Sequence, residues 1–314
     1  MTRGKTAPLE VQLLREGIVE SIHCAEAVVC DRRGRVLATA GDAETPAFMR
    51  SALKPFQALA LTATATIERF SLSDRDLAIA CGSHRGRIEQ ARQAFNILWR
   101  CDIDPLQLRC PIPPGKKSAL EHNCSGKHAA MLAVCQQRGW PLDTYYRREH
   151  PVQKLIVGRV AELLQMPAAE FIVARDDCGV PTYMMPLEQM ATLYAHLSSG
   201  DSLDMERIIR AMTHHSDLVA APGEFDTELM RASGGELVSK SGAEGIQCVG
   251  RVGEGLGLAI KVKDGAKRAK YAATIHALRQ LGWIDPAIAD TLAEQFLILA
   301  DWKRLDVAGD LAIS

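Results

Sequence analysis

A chain of 314 residues, 47% of them hydrophobic, is long enough to bury a substantial core in one large domain or two small ones. Its 37 basic and 38 acidic residues leave a formal net charge of −1 without a long block of either sign, which argues against nucleic acid and anionic membranes as partners. The N-terminal segment carries charges throughout, and no segment approaches the roughly 20 apolar residues of a membrane span. We therefore expect a soluble, cytoplasmic protein.

The cysteines are nine in number and spread over the whole chain, without the dense spacing of a small disulfide-bonded scaffold. Reduced thiols in a reducing compartment fit this pattern better. Any cysteine that matters is then expected to act as a metal ligand or as a nucleophile.

The pattern of apolar residues predicts strands first and helices afterwards. Residues 25–42 read as a hairpin with its turn at Asp31–Gly34. The segment from Ser51 onward is apolar on nearly all sides at helical length, which predicts a buried helix. Further helices are predicted at Ser73–Ala80, Ile88–Arg100, Ser125–Gln136, Val152–Leu164, Pro186–Ser198 and Asp204–Met212.

Short strands punctuated by glycine return after Gly234, and helices close the chain at about 268–281 and 286–300. Strands and helices do not alternate as a doubly wound sheet requires. We predict an α+β fold with an antiparallel sheet packed with helices. The chain is expected to form a single catalytic unit, 1–314, with the sheet from about 9–50 and 235–314 and a helical region at about 51–234.

An S-x-x-K motif is formed by Ser51 and Lys54. On a helix this spacing places the hydroxyl and the amine on one face, one turn apart. A buried amine gives up its proton readily and can then accept the proton of a serine. The alternative is an N-terminal cap followed by an exposed lysine, since the motif arises often by chance.

Two further segments carry reactive side chains. Cys81–Gly86 puts a thiol, the hydroxyl of Ser83 and the imidazole of His84 in a glycine-flanked turn, although a plain solvated turn is as compatible with the pattern. Lys240, Ser241 and Gly242 have the shape of the K-T-G element that accompanies S-x-x-K in penicillin-recognising serine enzymes. The order of the three segments is more specific than any one of them.

Cys124 and Cys178 lie 54 residues apart by number and belong to no C-x-x-C pair, so their spacing alone predicts no metal site. Cysteines are more often buried apolar residues than ligands. The sequence pattern leaves both readings open.

Five segments in this order resemble the motif set of the rhizobial-type (class 3) L-asparaginases: MRSALKPFQALAL, CGSHRG, HNCSGKHAAML, DDCGVPTYMMPL and SKSGAEGIQCVG. The resemblance runs from about residue 25 to 280. It implies a fold similar to the serine β-lactamases and serine-dependent glutaminases, and a homodimer.

The resemblance also implies site residues. One serine–lysine pair is matched by Ser51 and Lys54, and a second by Ser83 and Lys240. A zinc ion is implied at Cys124, Lys127 and Cys178, with a structural or modulatory role, and lysine is an unusual ligand because its amine must be neutral to coordinate.

The reaction expected from these residues is acyl transfer from L-asparagine, with a neutral lysine as base and Ser51 favoured over Ser83 as nucleophile. The charged groups of the substrate need partners, and those expected from their proximity to the motifs are Arg50, His84, Arg85, Asp177 and Glu244.

Three alternatives remain open. A serine-dependent glutaminase or a β-lactam-processing relative would use the same machinery, and one methylene of substrate is worth only about 1–3 kcal/mol of discrimination. A zinc-stabilised amino-acid-binding protein would keep the pocket without chemistry. A cysteine hydrolase would use Cys81 or Cys178, although no Cys–His–Asn pattern accompanies either.

Overall fold

The computed structural model describes residues 6–313, which form two compact units. The first, here called the sheet unit, comprises the described residues up to Ala52, Met185–Gly200, and those from Glu228 onward. The second, the helical unit, comprises Leu53–Met184 and Asp201–Thr227. Each unit therefore contains segments that are distant in sequence.

The strands are β1 Leu9–Arg15, β2 Ile18–Asp31, β3 Val36–Ala40, β4 Pro46–Phe48, β5 Ile172–Arg175, β6 Pro181–Pro186, β7 Leu237–Ser241, β8 Ile246–Arg251, β9 Leu256–Val262, β10 Ile298–Ala300, β11 Lys303–Ala308 and β12 Ala312–Ile313.

The α-helices are α1 Lys54–Ala63, α2 Thr66–Arg69, α3 Asp74–Ala80, α4 Ile88–Arg100, α5 Ser125–Arg138, α6 Pro151–Leu164, α7 Leu187–Leu197, α8 Leu203–His214, α9 Ser216–Val219, α10 Phe225–Ala232, α11 Lys267–Gln280 and α12 Pro286–Phe296. Short 3₁₀ helices occur at Arg50–Leu53, Pro105–Gln107, Ala119–Glu121 and Ala168–Glu170.

The large antiparallel sheet of the sheet unit has the strand order β10-β11-β1-β2-β9-β8-β7, with β3 beside β2 and β12 beside β3. Strand β2 is long enough to pair with three other strands. Its first part pairs with β1, as in Val11 opposite His23, whereas its second part pairs with β3 and with β9. The sheet thus joins the beginning and the end of the chain.

Two glycines opposite each other in β8 and β9 let helix α7 approach the sheet closely. Gly250 pairs with Gly257, and a Cβ atom at Gly257 would collide with the carbonyl oxygen of Ala191 in α7. Helix α11 also contacts this sheet, against β2 and β9. The buried side chains of both helices and of the central strands form the core of the unit.

Helix α5 lies at the centre of the helical unit, where it contacts α1, α3 and α4. Its residues Ser125–Cys135 are all buried. Gly126 is required there, because a Cβ atom at this position would collide with the carbonyl group of Ile79 in α3. The first turn of α5 is therefore held directly against the end of α3, where the segment Cys81–Gly86 begins.

Most predicted elements are confirmed, including the hairpin turn at Asp31–Gly34, where the amide of Gly34 donates to the carbonyl oxygen of Asp31. The buried helix predicted from Ser51 onward is confirmed, with a 3₁₀ turn at Arg50–Leu53 that leads into the α-helix at Lys54. Arg50 adopts a left-handed conformation at the start of this turn, and Pro55 lies in the first turn of the α-helix. One local prediction was wrong. The last helix ends at Phe296, and residues 298–300 form β10.

The predicted α+β class, an antiparallel sheet packed with helices beside a mainly helical region, is confirmed. Over residues 6–313, no helix is both long and apolar enough to cross a membrane.

Candidate active site

Lys54 is fully buried at the start of α1 in the helical unit. Its amine nitrogen lies 3.0 Å from the hydroxyl oxygen of Ser83. It also donates hydrogen bonds to two backbone carbonyl oxygens, those of Gly82 at 2.5 Å and Asn123 at 3.2 Å. The lysine of the S-x-x-K motif is thus held against the serine of the second motif.

The position of Ser83 depends on a close backbone approach at Gly82. A Cβ atom at Gly82 would lie 2.5 Å from the carbonyl oxygen of Leu218 and 3.1 Å from that of Ile79. The amide of Ser83 donates to the carbonyl oxygen of Val219 at 2.7 Å. The Ser83 hydroxyl is half-buried, on a loop that two neighbouring segments fix in place.

His84 is 1% exposed, and both of its ring nitrogens are engaged. Nδ1 accepts from the amide of Gly86 at 3.0 Å, so that Nε2 carries the proton and donates to Ser125 Oγ at 2.8 Å. Ser125 in turn donates to the carbonyl oxygen of Leu120. Burial, assisted by the positive charge of Lys54, lowers the pKa of His84 to about 3. These bonds fix the Ser83 loop, and the predicted role of His84 in substrate binding stays a prediction.

Arg85 points away from this buried network. Its guanidinium forms a two-pronged ion pair with the carboxylate of Glu224, at 2.7 and 2.6 Å, and about half of its side chain is exposed. Its backbone amide donates to Gln90 Oε1. The contacts of Arg85 connect the Cys81–Gly86 loop to the segment after α9. The role of Arg85 in substrate binding stays a prediction.

Cys124, Lys127 and Cys178 come together in the helical unit and are all buried. Asp176 joins them, with Oδ2 3.5 Å from Lys127 Nζ and 3.6 Å from Cys178 Sγ. A hydrogen bond from Cys178 holds the pKa of Cys124 well below its usual value, against the effect of burial and with help from Lys54 and Lys127. The same bond and burial raise the pKa of Cys178.

Lys127 is held in its charged form by its neighbours. Burial alone would lower its pKa, but the sulfur atoms of Cys178 and Cys124 and the carboxylate of Asp176 outweigh burial and raise it. Coordination of a metal would require this amine to lose its proton.

The donor chemistry of this cluster fits zinc. Two sulfur atoms and one nitrogen are the soft and intermediate donors that zinc prefers. Within the part of the chain that the structure describes, no group of three or more His, Cys, Asp and Glu side chains is arranged to hold a metal, so the fit depends on Lys127 as third ligand. The zinc ion implied by the resemblance stays a prediction.

In the sheet unit, Lys240 is fully buried near the end of β7, where its amine donates to the carbonyl oxygen of Ser241 at 2.9 Å. The next residue, Gly242, approaches the chain just before Ser51. A Cβ atom at Gly242 would lie 2.8 Å from the carbonyl oxygen of Met49. The K-S-G segment and the segment that carries Ser51 are therefore neighbours within this unit.

Ser51 is half-buried and follows Arg50, which has a left-handed φ of 51°. Such a conformation is unfavourable for residues other than glycine and is found often at functional sites. The carbonyl oxygen of Ala52 accepts a hydrogen bond from the hydroxyl of Tyr194 at 2.8 Å. The backbone around Ser51 is thus both strained and anchored.

Glu244 and Asp177, two of the expected substrate ligands, are exposed. Glu244 has a left-handed φ of 56°, and its carbonyl oxygen accepts from Lys261 Nζ at 2.7 Å. Asp177 lies in the β5–β6 turn, where its amide donates to Asp176 Oδ1. Their roles toward substrate stay predictions, as does that of Arg50.

Sequence reasoning missed three residues that hold these segments. Asp176 contacts Lys127 and Cys178 and stands beside the predicted Asp177, so the acidic pair itself was the available signal. Lys270 donates to the carbonyl oxygens of Gly242 and Ile246 at 2.8 and 3.2 Å, and Tyr194 donates to Ala52. Neither of the last two has a local sequence signal, because their partners are distant in the chain.

The fold is similar to that of Mglu, solved in its native form, with a TM-score of 0.52 and 13% identity. That alignment covers 83% of this chain and 65% of the other, so the chain spans somewhat less than two thirds of the length of Mglu. A β-lactamase from Mycobacterium bovis aligns with a TM-score of 0.43 and 17% identity, over 87% of this chain and 95% of that protein. At these identities such a likeness concerns the fold alone.

No curated protein matches the chain. The sequence pattern of the L-asparaginase II family, by contrast, matches residues 11–313, which is nearly the whole chain. The match includes the S-x-x-K segment, the Ser83 loop, both cysteines of the candidate metal centre and the K-S-G segment. The chain therefore belongs to the L-asparaginase II family.

Proposed function

We propose that the protein is an amidohydrolase that converts L-asparagine to L-aspartate and ammonia through an acyl-enzyme. The observation that carries this proposal is the hydrogen-bonded contact of buried Lys54 with Ser83 in a member of the L-asparaginase II family. A buried amine beside a serine hydroxyl is the arrangement that activates a serine without a histidine.

The proposed mechanism uses Lys54 as a base in its neutral form. In the structure its amine donates to three oxygen atoms, the carbonyl oxygens of Gly82 and Asn123 and the hydroxyl oxygen of Ser83. Loss of one proton would leave two N–H bonds for the carbonyl oxygens and a lone pair facing the Ser83 hydroxyl. After proton transfer, the same two carbonyls and the serine oxygen stabilise the ammonium form.

The reaction then proceeds in two balanced halves. Lys54 takes the serine proton while the serine oxygen bonds to the amide carbon of asparagine, and the ammonium returns that proton to the departing ammonia. Water next attacks the ester and passes a proton to the amine. The ammonium returns that proton to the departing serine oxygen, which releases aspartate and the free serine. Backbone amides near the serines supply the hydrogen bonds that stabilise the negatively charged oxygen in each half.

The proposal keeps Ser51 as the attacking hydroxyl, as the resemblance of the S-x-x-K motif implies. Ser83, whose hydroxyl oxygen lies 3.0 Å from Lys54 Nζ, relays a proton in this proposal. Lys240, buried at the end of β7, is the second base of the proposal. Because the amine of Lys54 contacts Ser83, the trapping experiment below examines both serines.

A zinc ion held by Cys124, Lys127 and Cys178 would supply a fixed positive charge and link α5 to the β5–β6 turn. In this proposal the ion takes no part in bond cleavage, because the acyl transfer is assigned to the serine and lysine side chains, and the ion has a structural or modulatory role. The homodimer implied by the resemblance is also part of the proposal, and light scattering after size-exclusion chromatography tests it.

Trapping of the acyl-enzyme tests both the reaction type and the nucleophile. The protein is mixed with L-asparagine, quenched in acid within milliseconds to seconds and digested, and the peptides carrying Ser51 and Ser83 are examined for an aspartyl ester by mass spectrometry. We expect the adduct on Ser51 in the wild type and in Ser83→Ala, but not in Ser51→Ala. An adduct on Ser83 would exchange the two roles, whereas an active enzyme with an adduct on neither serine would overturn serine catalysis.

A further inference from the structure

A cavity of about 330 Å³ opens in the helical unit between the segment joining α5 to α6 and the β5–β6 hairpin. Its charged lining consists of Arg147, Arg148 and Arg175 with a single acidic residue, Glu149. The volume is that of a site for a small organic molecule. The proposed amide chemistry uses none of these residues.

The charge of this lining stands out from the rest of the chain. Three arginines and one glutamate give a formal charge of +2, whereas the whole chain carries −1. Among the described residues, none of these three arginines forms an ion pair. Several other surface arginines are paired with carboxylates, as in Arg207 with Glu68 and Arg210 with Asp74. Like charges gathered without partners repel each other, and a bound anion would relieve that repulsion.

The backbone on both sides of the cavity is held in place. The amide of Arg147 donates to the carbonyl oxygen of Thr144, and the carbonyl oxygen of Arg147 accepts from the amide of His150. Arg175, at the end of β5, is paired with Pro181 in β6. The three guanidinium groups therefore extend from two fixed segments, so only their side chains need to be ordered on binding.

Tyr146 supplies an aromatic ring at the same cavity and is half-buried. Its ring contacts that of Tyr145 edge-on at 6.0 Å, which leaves a face free of that neighbour. Guanidinium groups bind phosphate in a two-pronged geometry, and an aromatic face accepts a flat organic group by stacking. Phosphate and a flat ring are the two parts of a nucleotide.

We infer that this cavity binds a phosphorylated small molecule with at least two negative charges, of the nucleotide class. Arg147, Arg148 and Arg175 hold the phosphate groups, and Tyr146 holds the base. The β5–β6 hairpin that carries Arg175 also carries Asp176 and Cys178 in its turn, so the ligand binds to the hairpin that presents the candidate metal centre.

Isothermal titration calorimetry with ADP, inorganic pyrophosphate and adenosine tests this inference, at one ionic strength fixed with sodium chloride. The full chain is compared with the double variant Arg147→Gln/Arg148→Gln. The matched control is Arg138→Gln, which removes an exposed arginine at the end of α5. Thermal unfolding of each variant establishes that it is folded.

We expect ADP and pyrophosphate to bind saturably at one site per chain and adenosine not to bind. The double variant should bind ADP at least about tenfold more weakly, by the loss of two charge-assisted contacts, and the control should match the wild type. Absence of saturable binding, or equal weakening in the control, would overturn the site. Equal affinity for ADP and pyrophosphate would overturn the role of Tyr146, since the base would then contribute nothing.

Discussion

The amine nitrogen of Lys54 and the hydroxyl oxygen of Ser83 lie 3.0 Å apart, although 29 positions separate them in the chain. The contact joins two motifs that carry the proposed chemistry and brings a potential base to a potential proton donor. A neutral lysine can accept a proton, whereas arginine always stays protonated, so the two residues should not be interchangeable at position 54.

Replacement of Lys54 by arginine or methionine is expected to lower kcat by about 10²–10⁴-fold, the usual contribution of a general base. Arginine keeps the positive charge but remains protonated and cannot take the serine proton. Ammonia release under saturating L-asparagine measures the effect, and Lys154→Arg on the exposed side of α6 is the control. Substantial activity in Lys54→Arg would show that charge, and not proton transfer, is what Lys54 supplies.

The stability of the protein is expected to fall between about pH 6.5 and 3 because of His84. Its pKa is about 3 in the folded chain against an ordinary value of 6.5, so the unfolded chain binds the additional proton in this range. The stabilising contribution is complete above about pH 6.5 and is lost as the pH falls. The slope from one such group is at most about 1.4 kcal/mol per pH unit.

Urea unfolding at pH 7, 6 and 5 tests this with His84→Gln, which keeps a hydrogen-bonding side chain but does not titrate. The free energy of unfolding should decrease less steeply with falling pH in the variant than in the wild type. Parallel curves for the two proteins would show that His84 does not contribute.

Zinc content is expected to depend on Cys124 and Cys178. The wild type purified without chelators should carry about one zinc ion per chain, by the usual affinity of sites with two thiolates. Cys124→Ser and Cys178→Ser should lose most of it, whereas Cys24→Ser in strand β2 should retain it. Elemental analysis by mass spectrometry measures the ratio, and equal zinc in all four proteins would place any metal elsewhere.

Gly82→Ala is expected to destabilise the protein by about 1–3 kcal/mol and to reduce activity further than that loss explains. The added Cβ atom must displace the carbonyl oxygen of Leu218, and the loop that holds Ser83 moves with it. Gly158→Ala in α6 is the control, because nothing lies within 4 Å of its added Cβ atom. That substitution should raise stability by about 0.5–1 kcal/mol. Denaturant unfolding measures the stability of both variants, and ammonia release measures their activity. A Gly82→Ala variant as stable and as active as Gly158→Ala would contradict this prediction.

Helices were predicted accurately from the sequence where the hydrophobic periodicity and the capping residues agree. Helix α4 runs over Ile88–Arg100 as predicted, and α3 begins after the cap at Ser73, whose hydroxyl and Asp76 bond each other's backbone amides. The helix predicted from Ser51 onward begins with a 3₁₀ turn, and no propensity scale registers the left-handed conformation of Arg50 at its start. Local sequence patterns describe residues about one turn apart, whereas the left-handed conformation of Arg50 is set by tertiary structure.

The candidate site was less predictable because its contacts are distant in sequence. Motif order singled out Lys54 and Ser83, and the family resemblance implied Cys124 and Cys178; the structure brings the first two together as well as the last two. The surroundings of His84 could not be predicted, since an imidazole in a polar loop gives no sign that Gly86 and Ser125 will occupy both of its nitrogens. Burial of a whole loop is decided by the helices around it.

Ammonia release from L-asparagine and from L-glutamine, by the same purified protein, tests the central claim most directly. Glutamate dehydrogenase coupling follows the ammonia, and Ser51→Ala is run beside Ser21→Ala, a control in strand β2. We predict ammonia release from L-asparagine with a kcat/KM at least about tenfold above that for L-glutamine, which is the discrimination that one methylene group can supply. This activity should be lost in Ser51→Ala and retained in Ser21→Ala. Preference for L-glutamine would make the protein a glutaminase, and no release from either amide by the folded, zinc-containing protein would contradict the proposed function.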